Sequence, residues 1–308
     1  MKKWIVTLFI VFMLFVFDSV LFKDSIYNIY NRYINKYGYR IISNPDSLNT
    51  NNYTKKDYSS YVSSTDSLTA HNEQELKNIY YSAVNSGFDR LTFYCDNNYS
   101  KCGNDINYLN NAENNFSYVN QLVNVYNSYS TIESTYSNSL RVDINIIKKY
   151  SKEEETRINK RIDELIDILE INNYTDVKDK IKVFHDYIAE TNKYDEDMAE
   201  NLQSNYNSDK AIGPLFEGKA ICSGYSDVMS IFLDKLGLEN IRVATEEHVW
   251  NAVLINNNWY HIDLTWDDPI ITSGEDIIQY DYFMITTSEL ENKNDKDHIY
   301  NKEVYDFL

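Results

Sequence analysis

The strongest helical pattern in the chain follows Cys222. Apolar residues recur three and four positions apart, at Tyr225, Val228, Met229, Phe232, Leu233 and Leu236. This spacing places one apolar stripe along a helix, and Gly237 is the kind of residue that ends one. The pattern therefore predicts a helix with Cys222 at its N-terminus.

Two stretches rich in β-branched and aromatic residues come next, HVWNAVLI and WYHIDLTW, with three asparagines between them. They predict a β-hairpin whose two-residue turn is Asn256 and Asn257. In that register His248 and Asp263 share one face of the hairpin, which we expect to lie toward the helix. The other face is predicted to be core and consists of Val249, Val253, Ile255, Tyr260, Ile262 and Leu264.

The rest of the chain mixes shorter helical and strand patterns. An amphipathic helix is predicted within residues 72–85, and LTFYC and LRVDINII are predicted strands. Ser151 and Glu154 form a capping box ahead of one helix, and another starts near Thr175, where His185 is predicted to pack or to lie on the helix surface. We predict an α+β protein with a small α+β unit at residues 70–150 and a second domain at residues 151–308.

The N-terminal residues are apolar enough to enter a membrane. MKK is followed by WIVTLFIVFMLFVF, and the apolar run ends at Phe22, close to the roughly 20 residues that span a bilayer. Because no small residues mark a cleavage site, we predict an uncleaved signal anchor at residues 1–22, with a cleaved peptide and secretion as the alternative. Lys2 and Lys3 favour a cytoplasmic N-terminus, so the rest is expected outside the cytoplasm. Residues 23–69 are a predicted linker, since residues 43–69 are poor in apolar side chains.

Charge narrows the choice of partners. The chain has 29 basic and 47 acidic residues and a net charge of −18. This balance argues against binding to nucleic acid and against docking on anionic lipid surfaces.

The cysteines divide into a pair and a single residue. Cys95 and Cys102 lie seven positions apart. We expect them to form a disulfide if the protein lies in an oxidising compartment outside the cytoplasm, or to stay unpaired in a reducing setting. No C-x-x-C pair and no His pair at helical ligand spacing occurs, so we expect no metal and no cofactor. The acidic residues Asp267, Asp268, Glu275 and Asp276 are interpreted as a solvated rim.

Cys222, His248 and Asp263 can supply the thiolate, the base and the orienting carboxylate that nucleophilic thiol chemistry needs. At a helix N-terminus, free backbone N–H groups and the positive end of the helix dipole favour an anion, and the same N–H groups can hold an oxyanion. His261 lies on the same hairpin face as His248, so the hairpin alone leaves open which imidazole is the base.

Three segments together resemble the transglutaminase-like superfamily: GKAICSGYSDVMSIFLDKLGL, HVWNAVLINNNWYHIDLTWDDP and YDYFMIT. The earlier KIKVFHDYIAETNKYD is similar to the segment before the catalytic Cys in bacterial members. The resemblance implies a papain-like fold, in which the Cys-bearing helix packs on an antiparallel sheet. It also implies that Cys222 is the nucleophile, His248 the general base and then acid, and Asp263 the orienting carboxylate, with no catalytic role for His261.

The same resemblance implies that Trp250 and Trp259 wall the site, while Asn251, Gly224 and Tyr225 are expected to support it. A second oxyanion donor is sought in residues 207–217. The expected function is thiol acyl transfer on amide bonds of proteins or peptides at the cell envelope, with water or an amine as acceptor. A non-catalytic adhesion or scaffold module with the same fold is the alternative.

Overall fold

The computed structural model describes residues 68–110, 118–137, 140–201, 203–268 and 278–308. The predicted anchor at residues 1–22 and residues 23–67 of the predicted linker lie outside these ranges. Within them, no helix combines the length and the apolar character that crossing a bilayer requires. The described chain is a mixed α+β structure with two four-stranded sheets.

The first sheet has the strand order β1-β2-β4-β3, with β1 parallel to β2 and the other pairs antiparallel. Its elements in chain order are β1 (Thr69–Ala70), α1 (Glu73–Asn85), β2 (Arg90–Cys95), α2 (Cys102–Asn110), α3 (Val119–Leu122), β3 (Tyr129–Tyr136) and β4 (Arg141–Lys148). The predicted amphipathic helix is α1, and the Asn72 side chain caps it by accepting a hydrogen bond from the Glu75 N–H. A disulfide between Cys95 and Cys102 joins the end of β2 to the start of α2.

The second part of the chain carries the second sheet and most of the helices. Its elements are α4 (Lys152–Ile168), α5 (Val177–Thr191), β5 (Lys193–Tyr194), α6 (Glu196–Asn201), β6 (Lys219–Ala220), α7 (Cys222–Lys235), β7 (Asn240–Ala244), β8 (Val249–Ile255), β9 (Asn258–Ile262), α8 (Leu264–Asp267), β10 (Phe283–Thr286) and α9 (Thr287–Lys293). The predicted capping box of Ser151 and Glu154 is confirmed at the start of α4. The predicted helix that begins at Cys222 is confirmed as α7.

The second sheet is antiparallel with the order β10-β9-β8-β7, and β8 and β9 form the predicted hairpin. Ile255 lies opposite Asn258, as predicted. Asn256 and Asn257 have φ angles of 52° and 63°. Positive φ at both central residues is what a two-residue hairpin turn of the right twist requires, and Asn tolerates it better than most residues. Local turn chemistry thus sets the register of the whole hairpin.

The prediction that helix α7 covers the face carrying His248 and Asp263 is wrong. Helix α7 packs instead on the apolar face that contains Val253, Ile255 and Ile262. The opposite face, with Trp250 and Ala252, is covered by C-terminal residues, among them Tyr300, Val304 and Tyr305. Because both faces of the sheet are buried, alternation alone could not tell which one the helix covers. His248 and Asp263 lie where β8 begins and β9 ends, at one end of the sheet.

A buried cluster of charges ties helix α7 to strand β7 and to the chain that precedes β3. Arg242 on β7 is hydrogen bonded to Asp227 on α7, and both side chains are buried. The Arg242 guanidinium also donates to the Val123 carbonyl at 3.2 Å and to the Ser128 hydroxyl at 3.0 Å. Lys149 adds a second cation 2.9 Å from the Asp227 carboxylate. These contacts fix the helix that begins at Cys222 relative to the sheet.

Candidate active site

Cys222 is the first residue of helix α7 and is partly exposed, whereas most of the helix is buried. The Ile221 N–H donates to the Ser208 carbonyl at 2.9 Å, which fixes the chain just before the thiol. Gly224 lies against the same segment, since a Cβ at this position would come within 2.1 Å of the Ser208 carbonyl oxygen. The predicted supporting role of Gly224 therefore has a steric basis: only glycine lets the segment lie this close to the first helical turn.

His248 precedes strand β8, and its backbone N–H donates to the Thr245 hydroxyl at 3.0 Å. Its Nε2 atom lies 2.5 Å from Asp263 Oδ2. Trp250 stacks on the imidazole, with ring centroids 5.7 Å apart and planes inclined by 20°. Cys222 lies close enough to the imidazole to contribute to the rise of its pKa. The structure thus places His248 against Asp263, with Cys222 close enough to influence the imidazole.

Asp263 is buried and caps the short helix α8. Its Oδ1 atom accepts hydrogen bonds from the Thr265 N–H at 2.9 Å and the Trp266 N–H at 3.3 Å. Its Oδ2 atom faces two imidazoles, those of His248 and His298. With both oxygens bound, the carboxylate has a single orientation.

The electrostatics favour a charged pair. Burial opposes protonation of His248, but the charge of Asp263, the hydrogen bond to it, and the hydrogen bond and charge of Cys222 raise the His248 pKa to about 10. Burial likewise opposes ionisation of Asp263. The charges and hydrogen bonds of His248 and then of His298 nevertheless lower the Asp263 pKa. At neutral pH His248 is therefore an imidazolium beside a carboxylate.

His298 is a member of the site that the sequence did not reveal. Its Nε2 atom lies 2.8 Å from Asp263 Oδ2, and its Nδ1 atom lies 3.0 Å from Asp295 Oδ2. The ring is buried and stacks on Tyr282, with centroids 4.5 Å apart. His298 lies far from Asp263 in the chain and outside the three segments that carry the resemblance, so no local pattern could have pointed to it.

His261, the other imidazole of the hairpin, has different partners. The Trp250 indole N–H donates to His261 Nδ1 at 3.0 Å, and His261 Nε2 lies 3.1 Å from the Thr287 hydroxyl. Burial, and then the charge of His298, lower the His261 pKa to about 4. His261 is therefore a neutral ring that supports Trp250, while His248 holds the carboxylate.

The remaining predicted residues divide between the site and its surroundings. The Asn251 side chain donates to the Ser226 carbonyl at 2.9 Å and so links β8 to α7. The Tyr225 hydroxyl donates to Asp268 Oδ2 at 2.7 Å. Trp259 packs on Phe307, with ring centroids 5.7 Å apart, at the turn end of the hairpin. The structure therefore does not bring Trp259 to the triad.

Tyr194 is a second residue that sequence reasoning missed. Strand β5 pairs with β6 so that Tyr194 lies beside Ala220, two residues before Cys222. Burial, followed by the charges of Cys222, Asp263 and Asp195, raises the Tyr194 pKa to about 12. Tyr194 lies in the KIKVFHDYIAETNKYD segment, which was the signal that could have found it.

Residues 207–217, the predicted location of a second oxyanion donor, have side chains with other partners. Its Ser208 hydroxyl donates to Asp195 Oδ2 at 2.5 Å. The Asn207 side chain donates to Glu217 at 2.9 Å, and the Lys210 ammonium donates to Glu154 at 3.1 Å. These side chains hold the segment in place.

The interpretation of the acidic loop as a solvated rim is wrong for Asp267. Its side chain is fully buried, with one oxygen 3.2 Å from His185 Nε2 and the other accepting the Tyr282 N–H at 2.9 Å. His185 is itself buried in helix α5, as the packing prediction allowed. The buried pair of His185 and Asp267 attaches α5 to α8, the short helix that follows Asp263. Glu275 and Asp276 lie outside the described residues.

One group in the described residues has the composition of a metal site, contrary to the expectation from sequence spacing. His248, Asp263 and His298 offer ligand atoms that all lie within 4.8 Å of one another. However, both imidazoles are already at hydrogen-bond distance from the same carboxylate oxygen, at 2.5 and 2.8 Å. In this geometry the two imidazoles hydrogen bond to the carboxylate. Their Nε2 atoms are directed at Asp263 rather than at a common central point.

Comparison with protein-family models finds no match. Comparison with curated proteins finds none either. Among solved structures, the chain is similar to one described as "Crystal structure of a TGase", with 17% sequence identity and a TM-score of 0.34. The match covers 70% of this chain and 62% of that one. A likeness this weak carries no argument about function, which is drawn below from the geometry of the site.

Proposed function

We propose that this protein is a transglutaminase-like thiol acyl-transfer enzyme that uses Cys222, His248 and Asp263. The observation that carries the proposal is the 2.5 Å contact between His248 Nε2 and Asp263 Oδ2, with Cys222 close enough to act on the same imidazole. The position of Cys222 at the start of α7 adds unpaired backbone N–H groups beside the sulfur.

The reaction follows from these positions. The Cys222 thiolate attacks an amide carbonyl, the new S–C bond forms, and the carbonyl electrons move onto oxygen beside the N-terminus of α7. The oxyanion collapses, the C–N bond breaks, and the His248 imidazolium gives its proton to the leaving amine. Water or a second amine then attacks the thioester, His248 takes the proton of this nucleophile, and the C–S bond breaks to restore the thiolate.

Tyr194 is proposed to supply the second oxyanion donor. It flanks the chain that enters Cys222, and with a pKa of about 12 its hydroxyl keeps its proton at neutral pH. A protonated phenol in this position can donate to an oxyanion without adding charge to the site.

The substrate is proposed to be a protein or peptide outside the cytoplasm, reached from a membrane anchor at residues 1–22. The Cys95–Cys102 disulfide supports an oxidising location. A non-catalytic adhesion or scaffold module is the second candidate, favoured if Cys222 behaves as an ordinary thiol.

The test uses the full chain in detergent, with Cys222→Ser, His248→Ala and, as a matched control, the exposed His71→Ala. The rate of Cys222 alkylation by iodoacetamide is measured across pH. We expect fast alkylation of the wild type at neutral pH, a rate several-fold lower in His248→Ala, and no change in His71→Ala, because His248 and not His71 is proposed to stabilise the thiolate.

The same proteins are then incubated with a mixed protein substrate and a tagged primary amine. Tag incorporation that Cys222→Ser abolishes indicates transamidation, and new N-termini that Cys222→Ser abolishes indicate hydrolysis. Alkylation at the rate of a free thiol, unaffected by His248→Ala and without either product, would favour the scaffold module and refute the enzyme.

A further inference from the structure

We propose that His298 is a positioning residue of the active site, which holds the Asp263 carboxylate through the same oxygen that contacts His248. The inference rests on the proposed function for its catalytic meaning, and on the geometry around Asp263 for its physical content. It extends the chain of hydrogen bonds from Cys222, His248 and Asp263 to His298 and Asp295.

The first step is the arrangement of the two imidazoles. His248 and His298 place their Nε2 atoms 2.5 and 2.8 Å from one oxygen, Asp263 Oδ2. Their rings meet edge to face, with centroids 5.3 Å apart. Both N–H groups therefore converge on Oδ2 from different directions, so the carboxylate cannot rotate toward His248 or away from it without losing a hydrogen bond.

The second step is the anchoring of His298 itself. Its Nδ1 atom lies 3.0 Å from Asp295 Oδ2, so a carboxylate faces each ring nitrogen. The ring stacks on Tyr282 and meets Trp250 and Trp266 edge to face, with centroids 4.5, 4.8 and 5.5 Å away. A ring held on both nitrogens and on its faces is a rigid support for the carboxylate.

His298 also acts electrostatically on the Asp263 carboxylate. The hydrogen bond and charge of His298 lower the Asp263 pKa in addition to those of His248. The titratable groups that face His298 are Asp263, Asp295, His248 and Tyr282, and His261 is close enough for the charge of His298 to act on it. Two carboxylates and two imidazoles lie together, and the loss of His298 leaves Asp263 with His248 as its imidazole partner.

The consequence is that His298 sets the acidic limit of the site. Without its donor and its charge, Asp263 takes up a proton at a higher pH and no longer orients His248. Alkylation of Cys222 is then expected to fall off at a higher pH than in the wild type.

The experiment compares His298→Phe, His298→Gln and His261→Gln in the full chain. Phe keeps the ring but cannot donate, whereas the Gln Nε2 can replace the hydrogen bond to Asp263 without the charge. His261→Gln is the matched control, because His261 is an equally buried imidazole whose partners are Trp250 and Thr287. Circular dichroism and thermal unfolding first establish that each variant is folded.

The main readout is the pH profile of Cys222 alkylation, which needs no substrate. We expect the acidic limb of the His298→Phe profile to move to higher pH, His298→Gln to restore part of the shift, and His261→Gln to match the wild type. In a turnover assay we expect kcat to fall roughly 10- to 100-fold in His298→Phe, as small misplacements of catalytic groups do.

Each result bears on one claim. The inference is overturned if the pH profiles of Cys222 alkylation in folded His298→Phe and His298→Gln match the wild type. It is also overturned if the protein binds one zinc ion per chain and removal of this zinc by chelation changes the profile as His298→Phe does. If His298→Phe does not fold, His298→Gln decides, since a purely structural role predicts a wild-type acidic limb. A shifted limb in a protein without turnover upholds the positioning role while refuting the proposed enzyme.

Discussion

At the scale of single residues, Tyr194 offers the sharpest test of the proposed chemistry. We expect Tyr194→Phe to lower kcat by roughly 100-fold with little change in KM, because the hydroxyl acts on charge that develops only in the transition state. Steady-state kinetics with the substrate found by amine incorporation measures this. Tyr187→Phe is the control, since the Tyr187 hydroxyl accepts a hydrogen bond from Arg161 and no contact with the triad is involved. Equal kcat values in Tyr194→Phe and wild type would exclude the phenol as a donor.

The identity of the reactive residues could be predicted where neighbouring sequence limits the geometry. Cys222 followed from the spacing of apolar residues after it. The hairpin placed Asp263 on one face with both His248 and His261, and only the resemblance chose His248 between them. His298 and Tyr194 could not be placed this way, because each reaches the site through contacts with residues far away in the chain. Burial of Asp267 was missed for the same reason, since its partner His185 lies on a separate helix.

At the scale of elements, the turn of the hairpin controls the distance between His248 and Asp263. Asn257 has φ = 63°, where a side chain with a Cβ and no local hydrogen bond costs about 1 kcal/mol or more. We expect Asn257→Ala to lower the free energy of unfolding by about 1 kcal/mol, and Asn257→Gly to leave it equal or slightly higher. Urea denaturation of the three proteins measures the difference. A stable Ala variant together with a destabilised Gly variant would contradict a turn that demands positive φ.

The hairpin also shows which part of an element can be predicted. Its register follows from Asn256 and Asn257, whose turn fixes each pair along the strands. The choice of face does not follow, because Trp250 and Ala252 are as buried as Val253 and Ile262. A strand covered on both sides carries apolar residues on both, and the covering residues come from distant parts of the chain.

At the scale of the whole molecule, the charged pair in the site should make stability depend on pH. The His248 pKa is raised from 6.5 to about 10, so its contribution to stability is complete below pH 6.5 and is lost as the pH rises through about 10. We expect the wild type to exceed His248→Gln in unfolding free energy by on the order of a few kcal/mol near pH 6, and by much less near pH 10.5. Urea denaturation of both proteins at the two pH values gives the comparison. A difference that stays constant or grows with pH would mean that His248 is neutral in the folded protein.

The two sheets are joined by buried charges as well as by apolar contacts. Asp227 lies on the helix that begins with Cys222, and its partner Arg242 reaches the backbone before strand β3. Such a pair strongly disfavours separation, since removal of Asp227 leaves the buried Arg242 charge uncompensated. The helix that begins at Cys222 is thereby held to strand β7.

The sulfur atoms of the chain differ in how easily a reagent reaches them, and this matters for anyone who purifies the protein. The disulfide-bonded Cys95 and Cys102 are 3% and 1% exposed, whereas Cys222 is partly exposed. Thiol exchange requires an incoming thiolate to reach a sulfur directly. A gentle reductant will therefore reverse accidental oxidation of Cys222 during preparation and spare the internal crosslink.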